Sequence, residues 1–241
     1  MGIVGVSPAS SRHGGQDARA PLLNEAMTWP SAERLLVAGL ATLGQPAPLR
    51  DPLLAFLHLL EKWNAAYNLT AVREPEKMVT HHLLDSLVVM PYLHGSRMVD
   101  VGAGAGIPGI PLALACPDFE FVLLDSNAKK TRFITQAINE LGLSNVSVER
   151  ARAEDYRPAR PFDTVISRAF ASLAEMLDMT QHLGASDGLY LAMKGNYPQD
   201  ELVVVPSQFR VDRVESVQVP GLDAKRHVVC LTKVGGTHPT T

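Results

Sequence analysis

Hydrophobic residues in the first part of the chain recur at steps of three and four, which is the spacing of one buried helix face. This spacing predicts a helix over residues 31–43, a second that starts at 51 and includes Trp63, and a third over 75–93. Ser31 and Asp51 stand where N-cap residues are expected, and Pro52 follows in the first turn of the second helix. Residues 31–94 are therefore predicted to form a wholly helical cap.

After residue 95 the pattern changes to short apolar runs that alternate with amphipathic stretches. The runs predict strands at 98–101, 120–124, 146–148, 164–166 and 189–193, and the stretches predict helices at 108–115, 127–141 and 172–183. Strands and helices that alternate in this way form βαβ crossovers, which build a parallel sheet covered on both faces. Two last strands, 211–219 and 227–234, have no helix between them, which indicates an antiparallel pair at one sheet edge. Residues 95–235 are thus predicted to be one α/β domain.

The two ends and the composition limit the class of protein. Residues 1–30 are rich in Gly, Ser, Pro and Ala without a sustained period, so we predict a flexible tail there and a second short tail at 236–241. Hydrophobic residues make up 46% of the chain and charged residues 20%, as in typical globular proteins. With no long uncharged apolar stretch and no basic segment leading into an apolar one at the start, we expect a cytoplasmic protein without a membrane span.

The spacing of cysteine and histidine residues indicates no metal site. Cys116 and Cys230 lie in apolar runs, without the paired spacing of zinc ligands or of a disulfide framework. His81 and His82 are adjacent in a predicted helix, where successive side chains point about 100° apart and cannot bind one ion. We therefore predict that the protein holds no metal.

The net charge argues against binding of free nucleic acid by charge alone. Lys and Arg number 22 against 25 Asp and Glu, so the formal net charge is −3. Proteins that bind nucleic acid mainly by neutralising phosphates are usually basic. If a nucleic acid is the substrate, it must be bound by a local patch or presented within a larger assembly.

The most informative stretch is the glycine-rich segment 100–109, which follows a predicted strand and leads into a predicted helix. Gly104, Gly106 and Gly109 satisfy the G-x-G-x-x-G pattern of dinucleotide-binding proteins, although this pattern alone is weak. The alternative is an S-adenosylmethionine loop. In such a loop the acidic residue two positions before the first glycine lies near the methionine end of the cofactor; here these are Asp100 and Gly102. Asp125 closes the second strand and suits a ribose diol in either case.

The position of the loop favours a methyltransferase over a nicotinamide-dependent oxidoreductase. Too little chain follows for a second nucleotide-binding half or a substrate domain, and that part ends in the antiparallel pair. The predicted fold class is therefore α/β: a Rossmann-like seven-stranded class I S-adenosylmethionine methyltransferase fold with an N-terminal helical extension. In this fold the segment 152–155 would lie beside the adenine.

The nature of the attacking atom predicts which additional residues are needed. Attack by a pyrimidine C5 needs a cysteine near the site, yet neither cysteine follows a strand. Attack by an exocyclic amine usually uses a proline-rich clamp, where this chain has Ser-Arg-Ala-Phe at 167–170. A ring nitrogen such as guanine N7 needs neither, although a sugar hydroxyl or a small molecule stays open as acceptor. Arg168 and Lys194 are candidate substrate-binding residues, since each follows a strand near the cofactor face; no catalytic residue is assigned.

Several strings occur in an order that resembles one family. They lie at 61–70, 82–86, 100–109, 124–126, 167–170 and 191–195. Together they resemble the bacterial 16S ribosomal RNA guanine-N7 methyltransferase family, also called glucose-inhibited division protein B, from about residue 50 to 234. The strings before residue 95 are the more specific ones, because methyltransferases in general lack them.

The resemblance implies an enzyme that uses S-adenosylmethionine to methylate N7 of one guanine in 16S rRNA. Its partner would be this RNA within the small ribosomal subunit or an assembly intermediate, and a monomer is expected. The loop analysis already assigns Gly104 and Asp125 to the cofactor, and the motifs add Gly102, Ile107, Ala153, Glu154 and Arg168. A small-molecule methyltransferase, a nicotinamide-dependent oxidoreductase and a non-catalytic cofactor-binding regulator are the alternatives.

Overall fold

The computed structural model describes residues 29–168 and 170–235. The predicted tails at 1–30 and 236–241 lie outside the described residues, except that Trp29 and Pro30 belong to the first helix. Within the described ranges, no helix has both the length and the hydropathy needed to cross a membrane.

The first part of the chain is helical, as predicted, but its boundaries differ. The elements are α1 (Trp29–Thr42), a 3₁₀ turn (Ala47–Leu49), α2 (Arg50–Tyr67), α3 (Pro75–Met78), a π-helix (Val79–Leu84), α4 (Asp85–Leu87) and a second 3₁₀ turn (Met90–Tyr92). The predicted caps were wrong: Ser31 lies inside α1, and Asp51 lies in the first turn of α2. A carboxylate in that turn still interacts favourably with the helix dipole.

The predicted third helix over 75–93 is interrupted twice. Its backbone widens to the π form over Val79–Leu84 and leaves the helix after Leu87. Pro91 lies in the following 3₁₀ turn and has no backbone N–H with which to continue a helix. The π segment matters because it carries His82 into the site described below.

The second part of the chain is a seven-stranded sheet in the order β3-β2-β1-β4-β5-β7-β6. The strands are β1 (Arg97–Val101), β2 (Glu120–Leu124), β3 (Val146–Glu149), β4 (Phe162–Ser167), β5 (Gly184–Lys194), β6 (Phe209–Val217) and β7 (Arg226–Lys233), and the helices are α5 (Gly109–Ala115), α6 (Ala128–Leu141), α7 (Leu173–Thr180) and α8 (Gln199–Val203). Strands β1 to β5 are parallel, and β7 runs antiparallel to both of its neighbours.

The predicted antiparallel pair at one edge is confirmed. The pattern did not indicate that β7, the last strand, inserts between β5 and β6, nor did it predict α8. It also placed the start of β5 at Leu189, five residues late, because the first residues of that strand are Gly, Ala, Ser, Asp and Gly. Such residues carry little of the β-propensity on which a strand prediction rests.

The sheet separates two hydrophobic cores, and the N-terminal helices share one of them. Met98 and Phe121 face the core that contains α1, α2, α5 and α6, whereas Val99 and Val122 face the other core. This alternation is the period of two expected of a strand. The ring of Phe133 on α6 lies 5.7 Å from that of Trp63 on α2, measured between centroids. The N-terminal helices are therefore placed against the sheet, while the predicted boundary at residue 94 stays a prediction.

Candidate active site

The glycine loop turns at the carboxyl end of β1, where its backbone is tied to β2. Gly102 and Gly104 have φ of 73° and 60°, a left-handed conformation that side chains with a Cβ rarely adopt. The backbone N–H groups of Gly102 and Ala103 both donate to the carbonyl of Leu124, at 2.8 and 3.1 Å. The loop is thus held open at the edge where ligands bind in sheets of this type.

Behind the loop lies Asp100, a carboxyl group only 1% exposed. Its Oδ2 accepts a hydrogen bond from Gly109 N at 2.9 Å, and a Cβ on Gly109 would lie 2.9 Å from the same oxygen. Its Oδ1 has no hydrogen-bond partner among the described residues. Burial raises the pKa of Asp100 to about 7, against the opposing effects of the Gly109 N–H and of Arg168. This carboxyl group therefore changes its charge close to neutral pH.

Asp125, the candidate ribose ligand, organises the loop from the end of β2. Its Oδ2 accepts a hydrogen bond from Gly104 N at 2.9 Å, and its Oδ1 accepts one from Asn127 N at 2.8 Å. Lys130 Nζ lies 3.8 Å from Oδ2. Each carboxylate oxygen can accept a second hydrogen bond, so the side chain can still receive two hydroxyl groups. The Asp125 carboxylate also accepts the hydrogen bond of the Gly104 N–H, a loop group that would point at phosphate in a dinucleotide-binding protein.

Two cavities meet at Gly102. The first, which we call the Asp125 cavity, has a volume of about 280 Å³. Its lining combines the end of β2 with the 3₁₀ turn Ala153–Asp155 and with apolar side chains beyond β4; it comprises Val101, Gly102, Leu124, Asp125, Ser126, Lys130, Ala151, Arg152, Ala153, Glu154, Phe170 and Met179. A carboxylate at one end and an apolar wall at the other suit a nucleoside.

The second cavity, which we call the His82 cavity, has a volume of about 210 Å³. One wall is the glycine loop, and the opposite wall comes from the N-terminal helical part; the lining residues are Leu69, Thr70, His82, Gly102, Ala103, Gly104, Ala105, Ile107 and Arg168. The His82 side chain is 4% exposed. Its Nε2 lies 3.0 Å from Thr70 Oγ1, and its Nδ1 has no partner in the described part of the chain.

The pKa of His82 is lowered to about 4, first by burial and then by the charge of Arg168. The imidazole is therefore neutral at physiological pH. Its segment is held in place because Ser86 Oγ donates to the carbonyl of His82 at 2.5 Å and Asn64 Oδ1 accepts from Thr70 N at 2.9 Å.

Asp85 joins the helical part to the edge of the sheet. Its Oδ2 lies 3.3 Å from Arg168 Nη1, and its Oδ1 lies 2.8 Å from Arg226 Nε on β7. Arg168 Nη1 also donates to the carbonyl of His81 at 3.0 Å. With 3% exposure, Asp85 is a buried carboxylate that is neutralised by two arginines. Arg168 is consequently held at the rim of the His82 cavity.

The structure brings most of the predicted site residues to the two cavities. Gly104, Ile107 and Arg168 line the His82 cavity, and Asp125, Ala153 and Glu154 line the Asp125 cavity, with Gly102 shared. Lys194 lines neither; its Nζ lies 2.8 Å from Glu201 Oε2 on α8. Contacts of all these residues with a cofactor or substrate stay predictions. Among residues 29–168 and 170–235, no group of three or more His, Cys, Asp or Glu side chains is placed to hold a metal ion.

Comparison with known proteins identifies the family. A family model described as rRNA small subunit methyltransferase G matches residues 50–229. This chain belongs to that family. The Ribosomal RNA small subunit methyltransferase G of Idiomarina loihiensis is 56% identical over 180 residues, 75% of this chain and 87% of that protein. The protein of the same name from Nitrosococcus oceani is 52% identical over 201 residues, 83% of this chain and 94% of that protein.

Membership of the rRNA small subunit methyltransferase G family confirms the resemblance and the enzyme class predicted from the sequence. Among solved structures, one from work on the conversion of a disulfide bond into a thioacetal group during echinomycin biosynthesis is similar, with a TM-score of 0.51 at 14% identity. The match covers 61% of this chain and 81% of that chain. This likeness concerns the fold alone. Together with the strand order of the sheet, its antiparallel β7 and the membership of a methyltransferase family, it confirms the predicted Rossmann-like methyltransferase fold.

Sequence reasoning missed the residues that the helical part brings to the site: Leu69, Thr70, His82 and Asp85. Each lies in a string that supported the family resemblance, at 61–70 or 82–86. The signal was therefore present, because strings specific to one family in a helical extension indicate a role that the common cofactor fold does not supply. From the sequence, His82 is excluded as a metal ligand together with His81 and is predicted to be a helix-surface or domain-contact residue.

Proposed function

We propose that this chain transfers a methyl group from S-adenosylmethionine to N7 of one guanine in 16S rRNA. The observation that carries the proposal is that two cavities of different character meet at the glycine loop in a member of this methyltransferase family. One suits a nucleoside, and the other opens from the methyl-bearing end towards the N-terminal helices.

The residues present fit this cofactor. Asp125 would receive the ribose hydroxyls, while Ala153, Glu154 and Phe170 would flank the adenine in the Asp125 cavity. The methionine part would lie along the glycine-loop wall of the His82 cavity, at Gly102, Gly104 and Ile107, with Arg168 near its carboxylate. The opposite wall, from the helical part, would be left to the acceptor. S-adenosylmethionine has no phosphate, which agrees with a loop whose Gly104 N–H is already directed at a carboxylate. Its sulfonium and ammonium charges would lower the pKa of the Asp100 carboxyl group.

The reaction asks the protein mainly for positioning. S-adenosylmethionine would supply the methyl group: the lone pair of N7 would attack the methyl carbon in line as the carbon–sulfur bond breaks and sulfur keeps the bonding pair. No proton moves, so no general base is needed, and holding the two reactants in line can contribute about 7–11 kcal/mol. A covalent cysteine route is disfavoured, because Cys116 ends α5 and Cys230 is buried in β7, and neither residue lines the Asp125 cavity or the His82 cavity.

The form in which the RNA is bound follows from the charge. With a formal net charge of −3, the chain is poorly suited to binding free RNA. Ribosomal proteins already neutralise part of the phosphate charge in a small subunit or an assembly intermediate. We therefore propose a ribonucleoprotein substrate, a cytoplasmic location and a monomeric enzyme.

The test is transfer of labelled methyl from S-adenosylmethionine to small ribosomal subunits from a strain that lacks this protein. We expect label in 16S rRNA, at one position cleaved by chemistry specific for N7-methylguanine. Subunits from a strain that contains the protein are the control and should accept little label. Binding of S-adenosylmethionine without any transfer to RNA would contradict the proposal. It would instead favour a small-molecule acceptor or a non-catalytic role.

A further inference from the structure

We propose that Leu69, Thr70 and His82 form the subsite that holds the target guanine. The inference rests on the proposed function and adds to it the part of the chain that recognises the acceptor base. It assigns this role to the segment between α2 and α4, which precedes the sheet.

The placement of the three residues carries the first step. Groups suited to the cofactor come from the ends of β1, β2, β3 and β4, and they occupy the sheet side of the site. Leu69 and Thr70 lie between α2 and α3, and His82 lies in the π-helix. These residues line the cavity together with the glycine loop. An acceptor that approaches the methyl group in line must enter from a side that the cofactor leaves free, and this wall offers that side.

The polar groups on this wall suit a base. His82 Nδ1 is buried and has no partner among the described residues, while Nε2 pairs with Thr70 Oγ1. A buried polar atom without a partner is unfavourable unless a ligand satisfies it. The edges of guanine carry both donors and acceptors, so they can pair with either tautomer of the imidazole once the ring turns to open Nδ1, which is closed to solvent in this structure. Leu69 adds an apolar contact for the face or edge of the ring.

The charge balance also fits the transfer. In the proposed transfer, the positive charge of the sulfonium would pass to the guanine ring as the N7–carbon bond forms and the carbon–sulfur bond breaks. A charged imidazole would oppose the cationic product, whereas burial keeps the pKa of His82 at about 4 and the ring neutral. Asp85 offsets the charge of Arg168 at the same rim. His82 is thus a binding group, and no proton has to reach it.

The subsite is held rigid before any ligand arrives. Asn64 Oδ1 accepts from Thr70 N at 2.9 Å, and Thr70 Oγ1 accepts from Val72 N at 3.2 Å. The turn that leads into it begins at Asn68, which ends α2 with φ of 50°. These hydrogen bonds hold Thr70 in position before the base binds, so less side-chain and backbone entropy is lost on binding.

The experiment compares Thr70→Val, Leu69→Ala and His82→Asn with the unchanged chain. Methylation of small subunits from a strain lacking the protein gives kcat/KM, and calorimetry gives the Kd of S-adenosylmethionine. We expect kcat/KM to fall by about tenfold or more in each variant, the effect of one lost hydrogen bond or apolar contact. The Kd of the cofactor should stay within about twofold, which also shows that the variants fold. Thr131→Val is the matched control, a buried threonine on α6 outside both cavities.

The outcomes separate the two proposals. No methylation of RNA by the unchanged chain overturns the proposed function. Methylation by the unchanged chain with kcat/KM unaltered in Thr70→Val and Leu69→Ala overturns the guanine subsite alone. If these two variants lose as much affinity for S-adenosylmethionine as they lose in kcat/KM, the guanine subsite is also overturned, because the wall would then bind the cofactor. If His82→Asn does not fold, the other two variants decide.

Discussion

The two cavities that meet at Gly102 are built in different ways. The Asp125 cavity is made by short segments that each follow a strand, and backbone N–H groups organise its central carboxylate. The His82 cavity needs side chains from the helical part of the chain, brought to the glycine loop only because the helices pack on the sheet. The Asp125 cavity therefore depends on the common architecture of the fold, whereas the His82 cavity depends on helices that are added to it. We call the segments that follow the strands, including the glycine loop, the proposed cofactor half, and the helical wall of the His82 cavity the proposed acceptor half.

Asp85 makes the two parts one site. It lies on α4 and pairs with Arg168, which follows β4, and with Arg226 on β7. Because a carboxylate that is 3% exposed needs such partners to be stable in the interior, the pairing anchors the helical wall at a defined distance from the sheet.

The largest effect expected is that of Gly102→Val, at the point where the cavities meet. A β-branched residue at φ of 73° is strained by about 1–3 kcal/mol, and its side chain would lie in the space assigned to the cofactor. Calorimetry should detect no binding of S-adenosylmethionine. Gly44→Val is the control, since Gly44 has φ of 66°, faces open space and lines neither cavity. Normal binding by the Gly102 variant would remove the glycine loop from the cofactor site.

The next effect tests the cofactor half alone. Asp125→Ala removes the acceptor proposed for the ribose and leaves the N–H groups of Gly104 and Asn127 without their carboxylate. Hydrogen bonds to charged groups contribute about 1.5–3 kcal/mol, so the affinity for S-adenosylmethionine should fall about ten- to a hundredfold. Asp118→Ala, at an exposed position before β2, should leave the calorimetric affinity unchanged. Equal affinities of the two variants would be inconsistent with our assignment of the Asp125 cavity.

A third change tests the connection between the halves. Asp85→Ala removes the carboxylate that pairs with two partly buried guanidinium groups, and we expect the free energy of unfolding to fall by about 1–3 kcal/mol, with a loss of methylation. Urea denaturation measures the first and the subunit assay the second. Asp51→Ala breaks an exposed pair with Arg50 and should change stability by less than about 1 kcal/mol. Similar losses in both variants would show that Asp85 is not an anchor.

The smallest effect concerns pH. Because burial raises the pKa of Asp100 to about 7, the carboxyl group is mostly protonated at pH 6 and mostly ionised at pH 8. The ionised form attracts a cationic cofactor, so the affinity for S-adenosylmethionine should rise over this interval, by at most about tenfold per pH unit. Calorimetry at several pH values should show that Asp100→Asn loses this component. An identical pH dependence in the variant would exclude Asp100 as its source.

The pKa shifts of Asp100 and His82 change the free energy of unfolding with pH in opposite directions. Between pH 3.8 and about 7 the folded chain keeps a proton on Asp100 that the unfolded chain releases, so this group lowers the free energy of unfolding as the pH rises. His82 is neutral when folded down to pH about 4 but is protonated below pH 6.5 when unfolded, so its contribution falls as the pH decreases. Denaturation of Asp100→Asn against pH should isolate the second contribution.

Much of the cofactor half could be predicted because its signals are local. A strand, three glycines and an acidic residue at the end of the next strand specify a loop at one edge of a sheet, and both Gly104 and Asp125 lie there. The helical boundaries were predicted less well. Ser31 looks like a cap in the sequence, yet α1 begins at Trp29, since a capping residue in sequence does not compel a helix to start.

The amino-acid sequence by itself determined the alternation of strands and helices, the antiparallel edge, the glycine loop with Asp125, and the family. These features depend on periodicity and on residues that are near neighbours in the chain. Only the tertiary structure decided that β7 lies between β5 and β6, that His82 meets the glycine loop, and that Asp85 pairs with Arg168 and Arg226, which are 83 and 141 residues away. A pattern of polar and apolar positions reports which residues are buried, whereas the packing of helices on the sheet selects the partners that they meet.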